Sequence, residues 1–279
     1  MPNLPLVMGV LNVTPDSFSD GGAYADAEAA VRAGVGMAEE GADWIDVGGE
    51  STRPGASEVL EAEELRRVIG VVKGLVKEGL RVSIDTRKAG VASACLDAGA
   101  AMVNDVSALG AAGMAEICAA QGCAVCLMHM QGDPQTMQTA PTYTDVVAEV
   151  FDYLILRATW AQAKGIDRRR IWLDPGIGFG KTLEHNLALL RNIGRLTASD
   201  YPVLLGVSRK GFVGRITGSE DPKDRLEGAL AVQVLAQAAG VRMIRTHDVR
   251  ATRRAMQVTA AILEASGDTA VAHRWERSP

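Results

Sequence analysis

The chain has 279 residues and a hydrophobic share of 47%, enough to build one large buried core such as an α/β barrel, or two ordinary domains. Its net charge of −5 supplies no overall basic field, which argues against nucleic acid as the main partner and leaves any anionic ligand to a local cluster of Arg, Lys and His. No segment reads as a membrane span: the apolar start at 6–13 is too short and lacks a basic flank, so the expected location is the cytoplasm.

Taken in chain order, eight short apolar runs recur at 6–12, 44–48, 81–85, 102–106, 124–130, 171–175, 202–208 and 243–248. They are rich in Val, Ile, Leu and Met, as parallel strands covered on both faces should be. The intervening stretches read as helices. Val147, Val150, Leu154, Ala158 and Ala161 recur at helical spacing, as do Leu183, Leu187 and Leu190, and Met256, Thr259, Ala260 and Leu263. Gly41, Gly79, Gly99 and Gly122 each fall just before a strand run, where a helix end favours a left-handed residue.

Eight strand-then-helix units predict a (β/α)8 TIM barrel, with a doubly wound open sheet as the alternative. Polar residues close nearly every run, and only a barrel gathers eight strand ends at one mouth. The barrel is predicted over 1–265 as a single domain, with long loops after strands 1, 2 and 5 (13–24, 51–57 and 131–143) that read as lids or clamps. The tail at 266–279 has no apolar period and is expected to fray.

Cys95, Cys118, Cys123 and Cys126 fit free thiols of a reducing compartment. Cys123 and Cys126 have redox-motif spacing but lead into an apolar run, and no second pair completes a zinc site, so core packing is the reading.

Outward along the runs come Asn12, Asp46, Asp85, Asn104, His129, Asp174, Lys210, and Arg245 with His247. Taken singly, Asp46 or His129 reads as a hydrogen-bonded core group or a cap. Taken together, so many polar groups at one end of apolar strands point to a site, because desolvating them without partners costs several kcal/mol. Asp85, Asn104 and Asp174 offer acceptors, and Lys210 offers donors. Such a set can select a planar heterocycle with an amino-pyrimidinone edge, of which a pterin is one. Arg245 and His247, two apart in the last run, face the same way and suit a phosphate group, which barrels often bind beside strands seven and eight. The stretch 176–182 imitates a phosphate loop, but Pro175 stands where the Walker glycine belongs and Lys181 where a third dinucleotide-motif glycine belongs.

The motifs themselves are familiar. GVLNVTPDSFSDGG at 9–22 and DVGGESTRPG at 46–55 resemble the first and second loops of bacterial dihydropteroate synthases. SIDT at 83–86, NDV at 104–106, MHMQG at 128–132, LDPGIGFGK at 173–181, SRK at 208–210 and RTHD at 245–248 follow in that family's order, so the resemblance covers 6–265. It implies a transferase that displaces pyrophosphate from (7,8-dihydropterin-6-yl)methyl diphosphate with 4-aminobenzoate, giving 7,8-dihydropteroate for folate synthesis. The resemblance further implies that Asp85, Asn104, Asp174 and Lys210 hold the pterin, with Met128 and Phe179 packed near it. Asn12 would ligate Mg2+. Arg245 and His247, with Thr52 and Asn12, would hold the diphosphate. Phe18, Thr52, Arg53, Pro54, Lys210 and Gly211 would form the aminobenzoate pocket, the target of sulfonamides. Asp85, Lys210, Arg245 and His247 are the implied catalytic set, and a homodimer is the implied assembly. Gly211 stands where many family members carry serine, which bears on the pocket's shape. Two other readings are a methyltetrahydrofolate–corrinoid methyltransferase, which needs no diphosphate site, and a non-catalytic pterin-binding protein.

Overall fold

A computed structural model describes residues 4–13, 22–51 and 55–265. The strands are β1 (Leu6–Asn12), β2 (Trp44–Gly48), β3 (Val82–Asp85), β4 (Met102–Asp105), β5 (Ala124–Met128), β6 (Ile171–Asp174), β7 (Leu204–Gly206) and β8 (Met243–Thr246). They follow the predicted runs in order, the first two in full and the later ones shortened at their ends. All pair in parallel. The ladder runs from β6 back to β1 and on through β8 to β7. A bridge between Leu173 and Val203 joins β6 to β7, and the N–H of Leu173 donates to the Pro202 carbonyl at 3.0 Å. The sheet therefore wraps into a (β/α)8 barrel rather than lying open.

The helices are α1 (Gly22–Glu39), α2 (Glu61–Lys77), α3 (Ala89–Asp97), α4 (Met114–Gln121), α5 (Val146–Ala163), α6 (Leu183–Arg191), α7 (Ile193–Thr197), α8 (Gly211–Thr217), α9 (Leu226–Ala238) and α10 (Val249–Glu264). In α5 the predicted stripe is the buried one: Val147, Val150, Leu154, Ala158 and Ala161 face the sheet, and the Asp145 carboxylate caps the helix by accepting from the N–H groups of Val147 and Ala148. The α6 stripe is corrected. Leu187 is 42% exposed, and the helix buries Asn186 and Leu189 instead. Thr182 and His185 form a capping box that sets this rotation, and the Asn186 side chain is drawn inward, its Oδ1 accepting from the Gly178 N–H. The four glycines predicted before strands all have left-handed backbone.

Alternation along the strands divides the apolar residues in two. Leu6, Met8, Trp44, Met102, Ala124, Cys126, Trp172, Leu204 and Met243 pack inside the barrel. Their neighbours Ile45, Val47, Ile84, Val103, Leu127, Leu173 and Ile244 face the helices. The inside is thus a plug, and Asp85, Asn104, Met128, Asp174 and Arg245, on the same alternation, project inward above it. All four cysteines are buried free thiols, as core packing requires. Helix α1 starts at Gly22, before the predicted end of the first loop. The expected fraying of 266–279 concerns residues outside the described ones. No described helix is long and apolar enough to cross a membrane.

Candidate active site

Register sets the floor of the mouth. Asn12 pairs with Gly48, Gly48 with Asp85, and Asp85 with Asn104. Met128 pairs with Asp174, and Gly206 with Arg245. Gly48 keeps this floor open: a Cβ there would lie 3.6 Å from Asp85 Cβ and 3.8 Å from Asn12 Oδ1. Asn12 and Asp85 therefore flank one bare stretch of backbone.

Arg245 crosses the floor. Its Nε donates to Asp46 Oδ2 at 2.6 Å and its Nη2 donates to Asp85 Oδ2 at 2.7 Å. Asn104 Nδ2 donates to the same Asp46 oxygen at 3.0 Å. Asp174 is fixed by the N–H of Gly176, which donates to its Oδ1 at 2.7 Å. Lys210 sits with its ammonium 4.0 Å from the ring centre of Phe179, a cation over an aromatic face. His247 is steadied by Ser208, whose Oγ accepts from the His247 backbone N–H and lies 3.2 Å from its Nδ1. Arg209, in left-handed backbone at φ 59°, pairs with Asp248 at 2.7 Å, and this turn carries Lys210 beside the mouth.

Burial tunes these groups. The Asp85 carboxyl is pushed up to about 7 by desolvation, with nearby Asp46 adding to the rise and Arg245 opposing it. Desolvation wins although Arg245 is bonded directly, because other buried carboxylates act in the same direction. Asp174 is also raised, by burial, against the pull of the Gly176 N–H, Lys210 and Arg245. Beneath the loop after β6, Lys181 turns inward. Its Nζ donates to the carbonyls of Phe179 at 2.9 Å and His129 at 3.1 Å, and lies 3.0 Å from His129 Nδ1. Burial lowers the Lys181 amine to about 7 and the His129 ring to about 3. The lysine of the false phosphate loop is thus a strut under Phe179, not a phosphate ligand.

The fold brings Asn12, Asp85, Asn104, Met128, Asp174, Phe179, Lys210, Arg245 and His247 to one end of the barrel, with Gly211 opening α8 next to Lys210. Phe18, Thr52, Arg53 and Pro54 lie outside the described residues. At the rim the N–H of Gly55 donates to the Pro134 carbonyl at 3.1 Å, so the loops after β2 and β5 touch. Three participants gain a role that the sequence reading did not give them: Asp46, Ser208 and Lys181. For Asp46 the signal was present, since it lies two residues before Gly48 on the inward alternation. Lys181 gave none.

A sequence profile for pterin binding enzymes matches residues 8–247. The dihydropteroate synthase of Escherichia coli is 47% identical over 262 residues, covering 94% of this chain and 93% of that one. The chain belongs to the dihydropteroate synthase family of pterin binding enzymes. Among solved structures, the Xanthomonas albilineans dihydropteroate synthase with 4-aminobenzoic acid is 48% identical, with a TM-score of 0.89 and 95% of each chain covered. The same synthase in complex with 7,8-dihydropteroate superposes with a TM-score of 0.86 at 45% identity, over 95% of this chain and 96% of that chain. Of the three sequence readings, the synthase family is the one these relatives carry.

Proposed function

We propose that the barrel mouth condenses (7,8-dihydropterin-6-yl)methyl diphosphate with 4-aminobenzoate, releasing pyrophosphate and giving 7,8-dihydropteroate. The observation that carries this reading is the meeting at one rim of two chemistries: the acceptors of Asp85, Asn104 and Asp174, and the cation Arg245 beside His247. The carboxylates accept from the ring N–H groups, and Lys210 donates to the ring carbonyl, with Met128 and Phe179 against the ring faces. Arg245 and His247, with Asn12 and Thr52, take the diphosphate. Phe18, Thr52, Arg53 and Pro54, with Lys210 and Gly211, enclose 4-aminobenzoate, a reading that the loop motifs at 9–22 and 46–55 support.

An oxygen donor set suits Mg2+ here. Asn12 Oδ1 and Asp85 Oδ2 each lie 3.8 Å from the position of a Cβ on Gly48, so oxygen donors flank the bare backbone there. Such a sparse set fits an ion held largely by substrate phosphates. Asn12 would hold it, and when bound it supplies positive charge at the diphosphate.

The aromatic amine is neutral at pH 7, so no general base is needed to make the nucleophile. The barrier lies in the carbon–oxygen bond, whose electron pair departs with the diphosphate. Arg245 and His247 meet the charge that develops there. The pterin ring delocalises the positive charge left on the methylene, and the Asp85 carboxylate stabilises it. The amine nitrogen then bonds to that carbon and sheds a proton. Water must be excluded meanwhile, so the pterin diphosphate binds first and the loops close over it with the second substrate.

Apolar side chains left exposed on α9 and α10, among them Leu235, Val258 and Ile262, support a homodimer. The four free thiols support a cytoplasmic setting. The test is pyrophosphate release with and without 4-aminobenzoate. Turnover that requires both substrates supports the reading. Pterin binding without turnover would instead indicate a binding protein. Slow release without the amine, captured by added nucleophiles, is expected of the dissociative path, and rates steeply dependent on nucleophile strength would contradict it.

A further inference from the structure

Asp46 lies beneath the mouth rather than in it. Its side chain is fully buried, while Asp85 and Asn104 keep 9% and 6% exposure. Its Oδ2 receives two donors, Arg245 Nε at 2.6 Å and Asn104 Nδ2 at 3.0 Å. Its Oδ1 is buried with no hydrogen-bond partner among the described residues. A carboxylate desolvated this far is a poor device for stability, since a well-packed apolar side chain of similar volume does as well or better. Its placement has a different consequence.

We propose that Asp46 is a positioning residue for the reaction, locking Arg245 and Asn104 into one fixed relative geometry. The inference rests on the assignment of Arg245 to the diphosphate and Asn104 to the pterin. Arg245 is planar and held on two edges, Nε by Asp46 and Nη2 by Asp85. A ring N–H arriving at Asp85 competes for the carboxylate that holds Nη2. The bond from Nε to Asp46 lies below the ligand and survives, so it keeps the guanidinium aimed at the leaving group. Asn104 is oriented by the same atom. Asp46 Oδ2 is the acceptor of that bond, so the amide turns Nδ2 toward it, and its Oδ1 is directed elsewhere to accept from a ring N–H. One buried oxygen thereby sets the direction of a cation and the polarity of an amide.

The test is a double-mutant cycle of Asp46→Asn with Arg245→Met, read as steady-state pyrophosphate release from the pterin diphosphate and 4-aminobenzoate, with thermal unfolding recorded for each variant. Asp46→Asn keeps the volume but lets both partners rotate. The expected result is a fall in kcat of about 10- to 100-fold, the scale of a small misplacement of catalytic groups. KM for the pterin diphosphate rises and KM for 4-aminobenzoate holds. In the Arg245→Met background the same substitution lowers kcat by less than about threefold, because the leaving-group cation it positioned is gone, while the rise in KM for the pterin diphosphate that runs through Asn104 persists. A folded Asp46→Asn protein with wild-type kcat and KM, or losses that multiply independently in the double variant, would overturn the proposal. If Arg245→Met alone leaves turnover intact, it is the diphosphate assignment that fails. Should Asp46→Asn not fold, Asp46→Ser takes its place in the cycle with the same two outcomes.

Discussion

Arg245 donates to Asp85 across 2.7 Å, tying β8 to β3 over the barrel floor, so the residue assigned to the leaving group touches the residue assigned to the ring. The pair makes the Asp85 charge depend on Arg245. An Asp85 carboxyl pushed up to about 7 gains a proton as pH falls through that value and stops being a pure acceptor. The kcat/KM for the pterin diphosphate should therefore decline on the acid side of about 7. Arg245 lowers the Asp85 pKa, so Arg245→Met should move the limb to higher pH, and Asp85→Asn should remove it. Pyrophosphate-release rates measured between pH 5.5 and 9, at concentrations chosen by order of magnitude around KM, check this.

Ser208 holds His247 through its hydroxyl, with 3.2 Å to both the backbone nitrogen and Nδ1. Ser208→Ala removes hydrogen bonds worth about 1 kcal/mol. A fall of roughly fivefold in kcat/KM for the pterin diphosphate should follow, with KM for 4-aminobenzoate little changed, because His247 belongs to the leaving-group end. A large rise in the 4-aminobenzoate KM would move Ser208 to the second substrate's pocket.

Lys181 gives a stability prediction with a definite sign. Its amine is lowered from 10.5 to about 7 in the folded chain. Such a group contributes stability fully above 10.5, and the contribution is lost as pH falls through about 7. Lys181→Met should thus destabilise more at about pH 9 than at about pH 6.5 in urea titrations. It should also raise KM for the pterin diphosphate, since the Phe179 carbonyl loses its donor.

Two glycines should respond in opposite ways. Gly176 has φ 67°, and a Cβ there would meet the His129 carbonyl oxygen at 1.9 Å. Gly176→Ala should disrupt the turn that positions Asp174 and abolish pterin binding in calorimetry. A Cβ at Gly211 meets nothing within 4 Å. Gly211→Ser should change stability by less than about 0.5 kcal/mol, leave pterin binding intact, and alter only the response to 4-aminobenzoate and to sulfonamides.

Strand order and the inward-facing polar residues were legible because both obey the two-residue alternation of a buried parallel strand. Asp85, Asn104 and Arg245 fall where that alternation puts them. Contacts made across the barrel were not legible: nothing local to Asp46 announces that it meets Arg245, 199 positions away. Lys181 was opaque for another reason: once the phosphate-loop reading is rejected, nothing in a glycine-rich loop announces that its side chain turns inward to brace Phe179. Leu187 misled because spacing alone cannot say which stripe of a short helix its capping box will turn toward the sheet.

In the proposed reaction, acceptors from β3, β4 and β6 grip one flat ring. Calorimetry of the pterin diphosphate with the wild-type chain and with Asp85→Asn, Asn104→Ala and Asp174→Asn decides whether they do. Each substitution should weaken binding by at least about tenfold, as loss of a hydrogen bond to a buried polar ligand group does. Undiminished affinity in all three folded variants would contradict it.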